Sequence, residues 1–393
     1  MLLVGKTRAE NCINLRIIRD FSQIRSIHDV WSSWPGNRDA DVDVYSAVLR
    51  SARKGTEPFI LLVERCGRPD ALLVGESQST EISHRIGYLT LSTSSVRSLS
   101  FTYGGFLGNQ SRENAEVLTS KILEFLHKGE ADVAQLNFIR TDSSLYRCVL
   151  TSAVFFSRDH FIGRRQHWVM DLPGTMGEVY SRLSGAQRSQ LRRKTKKLQM
   201  EFGGAIQIRR YGEPSGLEVM IRDLETVAQR TYQRGLRVGF EKSAAILNLL
   251  QLEAEKGWLR AYILYLEMKP CASWVGCIYD GVFYSDFLAH DPAYGAYSPG
   301  TFLLTQTTAD LCENKLVSID FGIDEARYKH QFGNRCWTES ATQLFAPSLK
   351  GTELLLAASA ASFTSRFVKG FLERTALLST VKKFLRRRAA PET

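Results

Sequence analysis

A chain of 393 residues with 44% hydrophobic and 23% charged side chains has the profile of a folded globular protein and excludes a disordered or collagen-like one. Its length exceeds the roughly 250–300 residues that one hydrophobic core supports, so two domains are expected. The net charge of +10 is unevenly placed: from Arg366 onward eight basic residues face only Glu373 and Glu392, and the run RSQLRRKTKK at 188–197 holds six with no acid, which leaves the rest near neutral and excludes a nucleic-acid footprint over the whole surface.

Seven cysteines without a C-x-x-C pair point to neither a disulfide framework nor a zinc site, so a reducing compartment and no metal are expected. The opening MLLVGKTRAENC breaks its apolar run at Lys6 and Arg8, and no stretch of ~18 apolar residues follows, which gives a cytoplasmic chain that does not span a membrane. There is no P-loop, G-x-S-x-G elbow or dinucleotide-binding glycine fingerprint, so kinase, hydrolase and dehydrogenase readings lose their usual support.

In chain order, EPFILLVERCGRPDALLVGES predicts a hairpin of strands at 59–64 and 70–75, and further strands are expected at 86–90 and 98–103. A helix follows over 111–127, with Leu118, Ile122, Phe125 and Leu126 at helical spacing, and then a strand at 132–139. Around Phe161–Trp168 the chain enters helices at 174–183, 186–201 and 215–234, with the strand AIQIRRY before the last. Three strands then span 258–291, turning at Lys269-Pro270 and Asp280-Gly281, before a helix from Pro299 to about Asn314 and the strand LVSIDFG. The order of elements repeats that of the first half, which suggests an internal duplication in a mixed α+β fold. The expected domains are 1–165, 166–346 and a tail at 347–393, where Phe363, Phe367, Phe371, Leu378, Val381 and Leu385 recur at helical spacing.

The stretch from Gly295 to Thr301 carries the first candidate site. Ser298 suits an N-cap, Pro299 the first helical position, and Gly300 a close approach of ligand to backbone. A helix start after a strand and a small-residue loop suits a pyrophosphate at Gly295, Ser298, Gly300 and Thr301, and an ordinary capped helix equally explains the pattern. In the last strand Val317, Ile319 and Phe321 alternate with Ser318 and Asp320, followed by Gly322, Asp324, Glu325, Tyr328 and Lys329, a crowd of proton-transfer groups.

Ser298-Pro299-Gly300, a helix, Asp320-Phe321-Gly322, Tyr328-Lys329 and Phe332-Gly333 resemble the GNAT-type acyltransferase family of bacterial cellulose and exopolysaccharide biosynthesis, the CelD-like group. The similarity is sharp over 270–334, looser over 166–270 and weak over 1–165. It departs at Asp324, where the family pattern has a glycine, with Glu325 in the position of the expected acid. The resemblance implies two tandem GNAT-like domains, as in Fem-type aminoacyl transferases, and acyl transfer from acyl-CoA, such as acetyl-CoA, to an amine or hydroxyl of a polysaccharide precursor. A charged-tRNA donor and a non-catalytic accessory of polysaccharide synthesis are the alternatives.

Direct acyl transfer needs a base, oxyanion donors and a proton for the thiolate. The expected thioester site lies between the strands at 282–290 and 316–322, with Tyr284, Asp286 and His290 on one strand face. Asp286, His290 or Asp320 is the candidate base and Tyr328 the acid, and an Asp320–Lys329 pair is the structural alternative. Arg192 and Lys196 of the basic run, with Glu325 and Lys329, are the candidate substrate contacts, for CoA phosphates, a nucleotide sugar, a lipid-linked glycan or tRNA. The basic tail either covers the second domain or lies on the inner face of an anionic membrane.

Overall fold

The computed structural model describes residues 13–86, 89–153, 157–159, 163–231, 234 and 239–374. The expectations for Phe161, Leu378, Val381 and Leu385, and for the side chain of Phe371, lie outside the described residues. Two units are formed: one holds the described residues up to Arg164 together with Glu339–Val368, and the other holds the described residues of Arg165–Thr338 and residues 369–374.

The first unit opens with strand β1 (Ile13–Ile18) and helices α1 (Phe21–Ser26), α2 (His28–Ser33) and α3 (Val42–Arg50). The strands β2 (Glu57–Pro58), β3 (Ile60–Arg65), β4 (Arg68–Ile86) and β5 (Leu89–Gly108) follow, then α4 (Arg112–His127), β6 (Val133–Arg140) and α5 (Ser144–Ser152). The strands expected at 70–75, 86–90 and 98–103 are thus two long arms of one hairpin, paired from Ala71↔Gly108 up to Ile86↔Leu89. Ser111 caps α4 by accepting from the Asn114 amide, and the helix buries Leu118, Ile122, Phe125 and Leu126.

The second unit runs β7 (Arg164–Asp171), α6 (Met176–Arg182), α7 (Gly185–Phe202), β8 (Ile206–Tyr211), α8 (Leu217–Gln229) and α9 (Ala244–Glu255). It continues through β9 (Leu259–Leu266), β10 (Lys269–Tyr279), β11 (Val282–His290), α10 (Pro299–Glu313), β12 (Ser318–Ile323) and α11 (Arg327–Phe332). The strand β13 (Arg335–Phe345) leads out of it, and α12 (Leu349–Arg374) is the last described helix.

Each unit has the same plan. An antiparallel meander, β1-β3-β4-β5 or β8-β9-β10-β11, ends in a strand that crosses over through α4 or α10 to a parallel neighbour, β6 or β12. An antiparallel strand then flanks that neighbour: β13 for β6 and β7 for β12. Leu344, Phe345 and Ala346 are buried, and Leu344 and Ala346 belong to the core that holds Phe59, Leu118 and Leu136. Residues 339–346, which the sequence groups with the second domain, therefore complete the sheet and core of the first. The duplication expected from element order extends to strand order, because a parallel pair requires a helical crossover of that length.

Among the described residues no helix is long and apolar enough to cross a membrane.

Candidate active site

The site in the second unit begins where two strands part. β11 and β12 run parallel and pair at Val282↔Ser318, Phe283↔Ile319 and Tyr284↔Asp320. Beyond those pairs β11 follows β10 to His290, while β12 follows β7 to Ile323. A bulge accompanies the divergence: β10 pairs Val275↔Phe287 and Gly276↔Ser285, which leaves Asp286 as the extra residue. Gly276 permits the bend, since a Cβ there would sit 1.9 Å from the Tyr284 carbonyl oxygen.

The extra residue shifts the alternation of side chains. Phe283 and Leu288 pack in the core with Trp274, whose indole donates to Ser285 Oγ at 2.8 Å, whereas Phe287 packs in the core on the other side of the sheet. Tyr284, before the bulge, consequently does not share the face of Leu288 and His290 that strict alternation predicts, because a one-residue bulge changes parity.

At the parted strand ends lies a cavity of about 510 Å³. Its walls include Leu288, Ala289 and His290 of β11, the loop residues Pro292, Gly295 and Ser298, the first turn of α10 with Gly300, Thr301 and Leu304, and Arg327, Tyr328, Gln331 and Phe332 of α11. All four residues expected at a pyrophosphate line it, together with His290 and Tyr328. Asp286, Asp320, Arg192, Lys196, Glu325 and Lys329 are not among its lining residues.

The start of α10 differs from a serine-capped helix. Ser298 adopts a left-handed conformation, φ +56°, and its side chain makes no capping hydrogen bond, while its carbonyl accepts from Thr301 and Phe302. Pro299 has no N–H, and the Gly300 amide is one that helical geometry leaves without an intrahelical acceptor. A Cβ on Gly300 would meet His290 Nδ1 at 3.3 Å, so the imidazole packs directly against the glycine. Burial lowers the His290 pKa, a shift that neighbouring Asp291 opposes, although the ring edge stays open to the cavity.

Two cations missed in the sequence complete the walls. Lys194 lies on α7, and its Nζ reaches Thr301 Oγ1 at 3.5 Å. Its pKa is lowered by burial and then by the charges of Arg327 and Arg193. Among the described residues lining the cavity none is acidic, so Lys194 and Arg327 make it electropositive. Spacing could have singled Lys194 out: Leu191 and Leu198, its neighbours at three and four residues, are the buried positions of α7. Arg192 and Lys196 lie on the exposed face, and Lys197 donates to the Ala296 carbonyl at 3.0 Å. The Gln331 amide nitrogen, in the cavity wall, is buried without a protein acceptor.

Asp320 and Lys329 are both engaged, but not with each other. His167 of β7, 2% exposed, donates from Nε2 to Asp320 Oδ1 at 2.7 Å, the Gly322 amide donates to the same oxygen, and Trp337 stacks on the imidazole with centroids 4.4 Å apart. Lys329 is buried and donates to the carbonyls of Gly322 and Ile323 at 3.2 and 2.6 Å, and desolvation lowers its pKa against the pull of Asp324 and Asp320. Asp324 takes φ +76°, the conformation a glycine would supply, and accepts from Arg165 at 2.6 Å. Glu325 is exposed. Tyr328 packs edge-on to Phe321, which sets its place in the wall.

Residues 185–330 match the family model described as Acetyltransferase (GNAT) domain. The matched residues lie within the second unit. Among solved structures the chain is similar to FemX, at a TM-score of 0.56 and 11% identity over 86% of this chain and 99% of that one. It is also similar to the C-terminal domain of a putative lysylphosphatidylglycerol synthetase from Agrobacterium fabrum, at 0.51 and 13% over 86% and 95%. A tandem GNAT protein of the clavulanic acid pathway aligns at 0.47 and 9% over 85% and 99%. At such identities the likeness is one of fold, two GNAT-like units in tandem, and no curated protein matches in sequence. The chain is an acyltransferase.

Proposed function

We propose that the second unit transfers an acyl group from acyl-CoA to an amine or hydroxyl of a saccharide acceptor, such as a polysaccharide precursor, by direct attack on the thioester. The observation that carries this reading is the acid-free cavity with Lys194, Arg327 and the first turn of α10 on its walls, which matches a ligand with an anionic pyrophosphate and an apolar arm. The arm lies along β11 beyond Tyr284, where backbone groups on the side that β12 has left are available to a ligand and to the thioester oxygen.

In the proposed reaction the acceptor nitrogen or oxygen attacks the thioester carbon while His290 takes its proton. The lowered pKa keeps that imidazole neutral and able to act as a base near neutral pH. The carbon–sulfur bond breaks, and the Tyr328 hydroxyl protonates the departing thiolate. Asp286, outside the cavity wall, has no part in these steps, and Asp320 and Lys329 hold the end of β12 in place. A second reading, aminoacyl transfer from charged tRNA, draws on the exposed Arg192, Arg193, Lys196 and Lys197 of α7, the helix that sends Lys194 into the cavity.

The test is calorimetric titration of the whole protein with acetyl-CoA and longer acyl-CoAs, followed by thiol-release assays with amino sugars and saccharides, on wild type and His290→Gln. Binding with turnover that His290→Gln abolishes supports the proposal. Binding without turnover on any acceptor points to an accessory role. No binding of acyl-CoA, with binding of charged tRNA, transfers the donor site to the second reading.

A further inference from the structure

The side that α11 turns to the cavity consists of Arg327, Tyr328, Gln331 and Phe332. They form one stripe because residues three and four apart are neighbours on a helical surface. Lys329 and His330 lie off that stripe: the first donates to the carbonyls of Gly322 and Ile323, and the second packs edge-on to Trp168. Within the stripe the amide nitrogen of Gln331 is buried and has no hydrogen-bond partner among the described residues. Native proteins leave only a few buried polar groups in that condition. A buried NH2 without an acceptor raises the free energy of the unliganded protein, and a ligand that brings an oxygen to it removes that cost.

The surroundings select the kind of oxygen. Lys194 and Arg327 supply the positive charge of the cavity, and Gln331 stands about 6 Å along α11 from Arg327, at about 1.5 Å per residue. Leu288, Leu304 and Phe332 of the same walls belong to the apolar core of the unit or pack against it. An uncharged donor in an apolar stretch suits a neutral carbonyl, since a phosphate is held better by the cations. Between its phosphates and its thioester an acyl-CoA carries an apolar arm with one hydroxyl and two secondary amides, whose carbonyl oxygens are the strongest neutral acceptors it offers. A half-turn of the carboxamide about its last torsion, which is broad and two-fold, brings the NH2 to the position its oxygen holds. We propose that Gln331 is a specificity residue for the donor, its carboxamide donating to an amide carbonyl of the pantetheine arm. The inference rests on the acyl-CoA reading and narrows it, because an aminoacyl-tRNA has no such arm and leaves the Gln331 nitrogen unpaired.

The experiment is calorimetric titration of the full chain, wild type and Gln331→Met, with acetyl-CoA and, in competition with it, with 3′-phospho-ADP, the same nucleotide without the arm. Methionine keeps an unbranched, flexible side chain and removes the carboxamide. Because the variant loses an unpaired buried donor, its Tm without ligand should equal that of wild type or exceed it by up to about 3 °C. Its affinity for acetyl-CoA should fall about three- to tenfold, the worth of one hydrogen bond between neutral groups, and its affinity for the armless nucleotide should change less than about twofold. Equal affinity of the two proteins for acetyl-CoA overturns the proposal. So does an equal loss on both ligands, which marks a general disturbance of the cavity, and so does a lower Tm, which shows the carboxamide already paired in the unliganded protein. Absence of acetyl-CoA binding by wild type is a separate failure, that of the acyl-CoA reading itself, and removes the proposal with it.

Discussion

Replacing Gly300 by alanine separates stability from ligand binding. Gly300 is the second residue of α10, and its φ lies outside the left-handed region, so alanine fits the backbone. Loss of unfolded-state freedom then stabilises the fold by about 0.4–1 kcal/mol. The new methyl would meet His290 Nδ1 at 3.3 Å, and the ring, with one edge on the cavity, can yield by a few tenths of an ångström into open space. Most of the gain should survive, and for a unit of this size it corresponds to a rise in Tm of about 1–3 °C. The same methyl stands at the amide where the donor phosphate would approach, and one charge-assisted hydrogen bond is worth about 1.5–3 kcal/mol, or roughly ten- to a hundredfold in Kd. Scanning calorimetry with titration of acetyl-CoA reads both effects. Unchanged donor affinity in a more stable variant would refute the placement of the phosphate at the first turn of α10. A lower Tm would refute the claim that His290 can move aside.

Other outcomes follow from the same geometry. Lys194→Gln should weaken acyl-CoA binding about tenfold, whereas Arg192→Gln with Lys196→Gln should change it less than about twofold in the same titration. Because burial depresses the His290 pKa, kcat/KM should rise with pH through an inflection below the ordinary histidine value of 6.5 and stay flat at neutral pH, a limb that His290→Asn should abolish. On stability, a depressed histidine contributes above its unfolded pKa and that contribution is lost as pH falls through the folded one, so urea melts at about pH 5 should destabilise wild type more than His290→Asn. Asp320→Ala removes the carboxylate that the buried His167 and the Gly322 amide share and should cost about 3 kcal/mol in urea unfolding, with donor affinity preserved because Asp320 lies outside the cavity wall. Asp324→Gly should raise stability by up to about 1 kcal/mol, since relief of the left-handed conformation outweighs one exposed ion pair with Arg165, and Asp324→Val should lower it.

The elements of both units were legible as alternating and helical patterns because their local preferences agree with the fold. The helix over 112–127 and the strands flanking Asp280-Gly281 fall within a residue or two of expectation. Three features escaped for physical reasons. The single long hairpin of β4 and β5 reads as separate strands because Ser, Thr and Gly interrupt the apolar pattern while backbone pairing runs on. The parity of β11 cannot be read from alternation, since the bulge at Asp286 exists only because Gly276 sits opposite it on a neighbouring strand. The left-handed turn at 322–324 survives a glycine-to-aspartate departure from the family pattern because a short polar side chain tolerates φ > 0.

For the site, the sequence by itself determined the residues near one another along the chain. Gly295, Ser298, Gly300 and Thr301 stand together because they occupy one loop and one helical turn, and Tyr328 lies at a fixed offset from the end of β12. Only the tertiary structure decided the long-range partners. It brought Lys194 from a helix more than a hundred residues away to Thr301, gave Asp320 to His167 in place of Lys329, and turned the Lys329 ammonium onto the β12 carbonyls. Local spacing encodes which face of an element a side chain occupies. Which other element that face meets is set by packing, which minimises buried unpaired charge across the whole unit and has no counterpart in any short stretch of sequence.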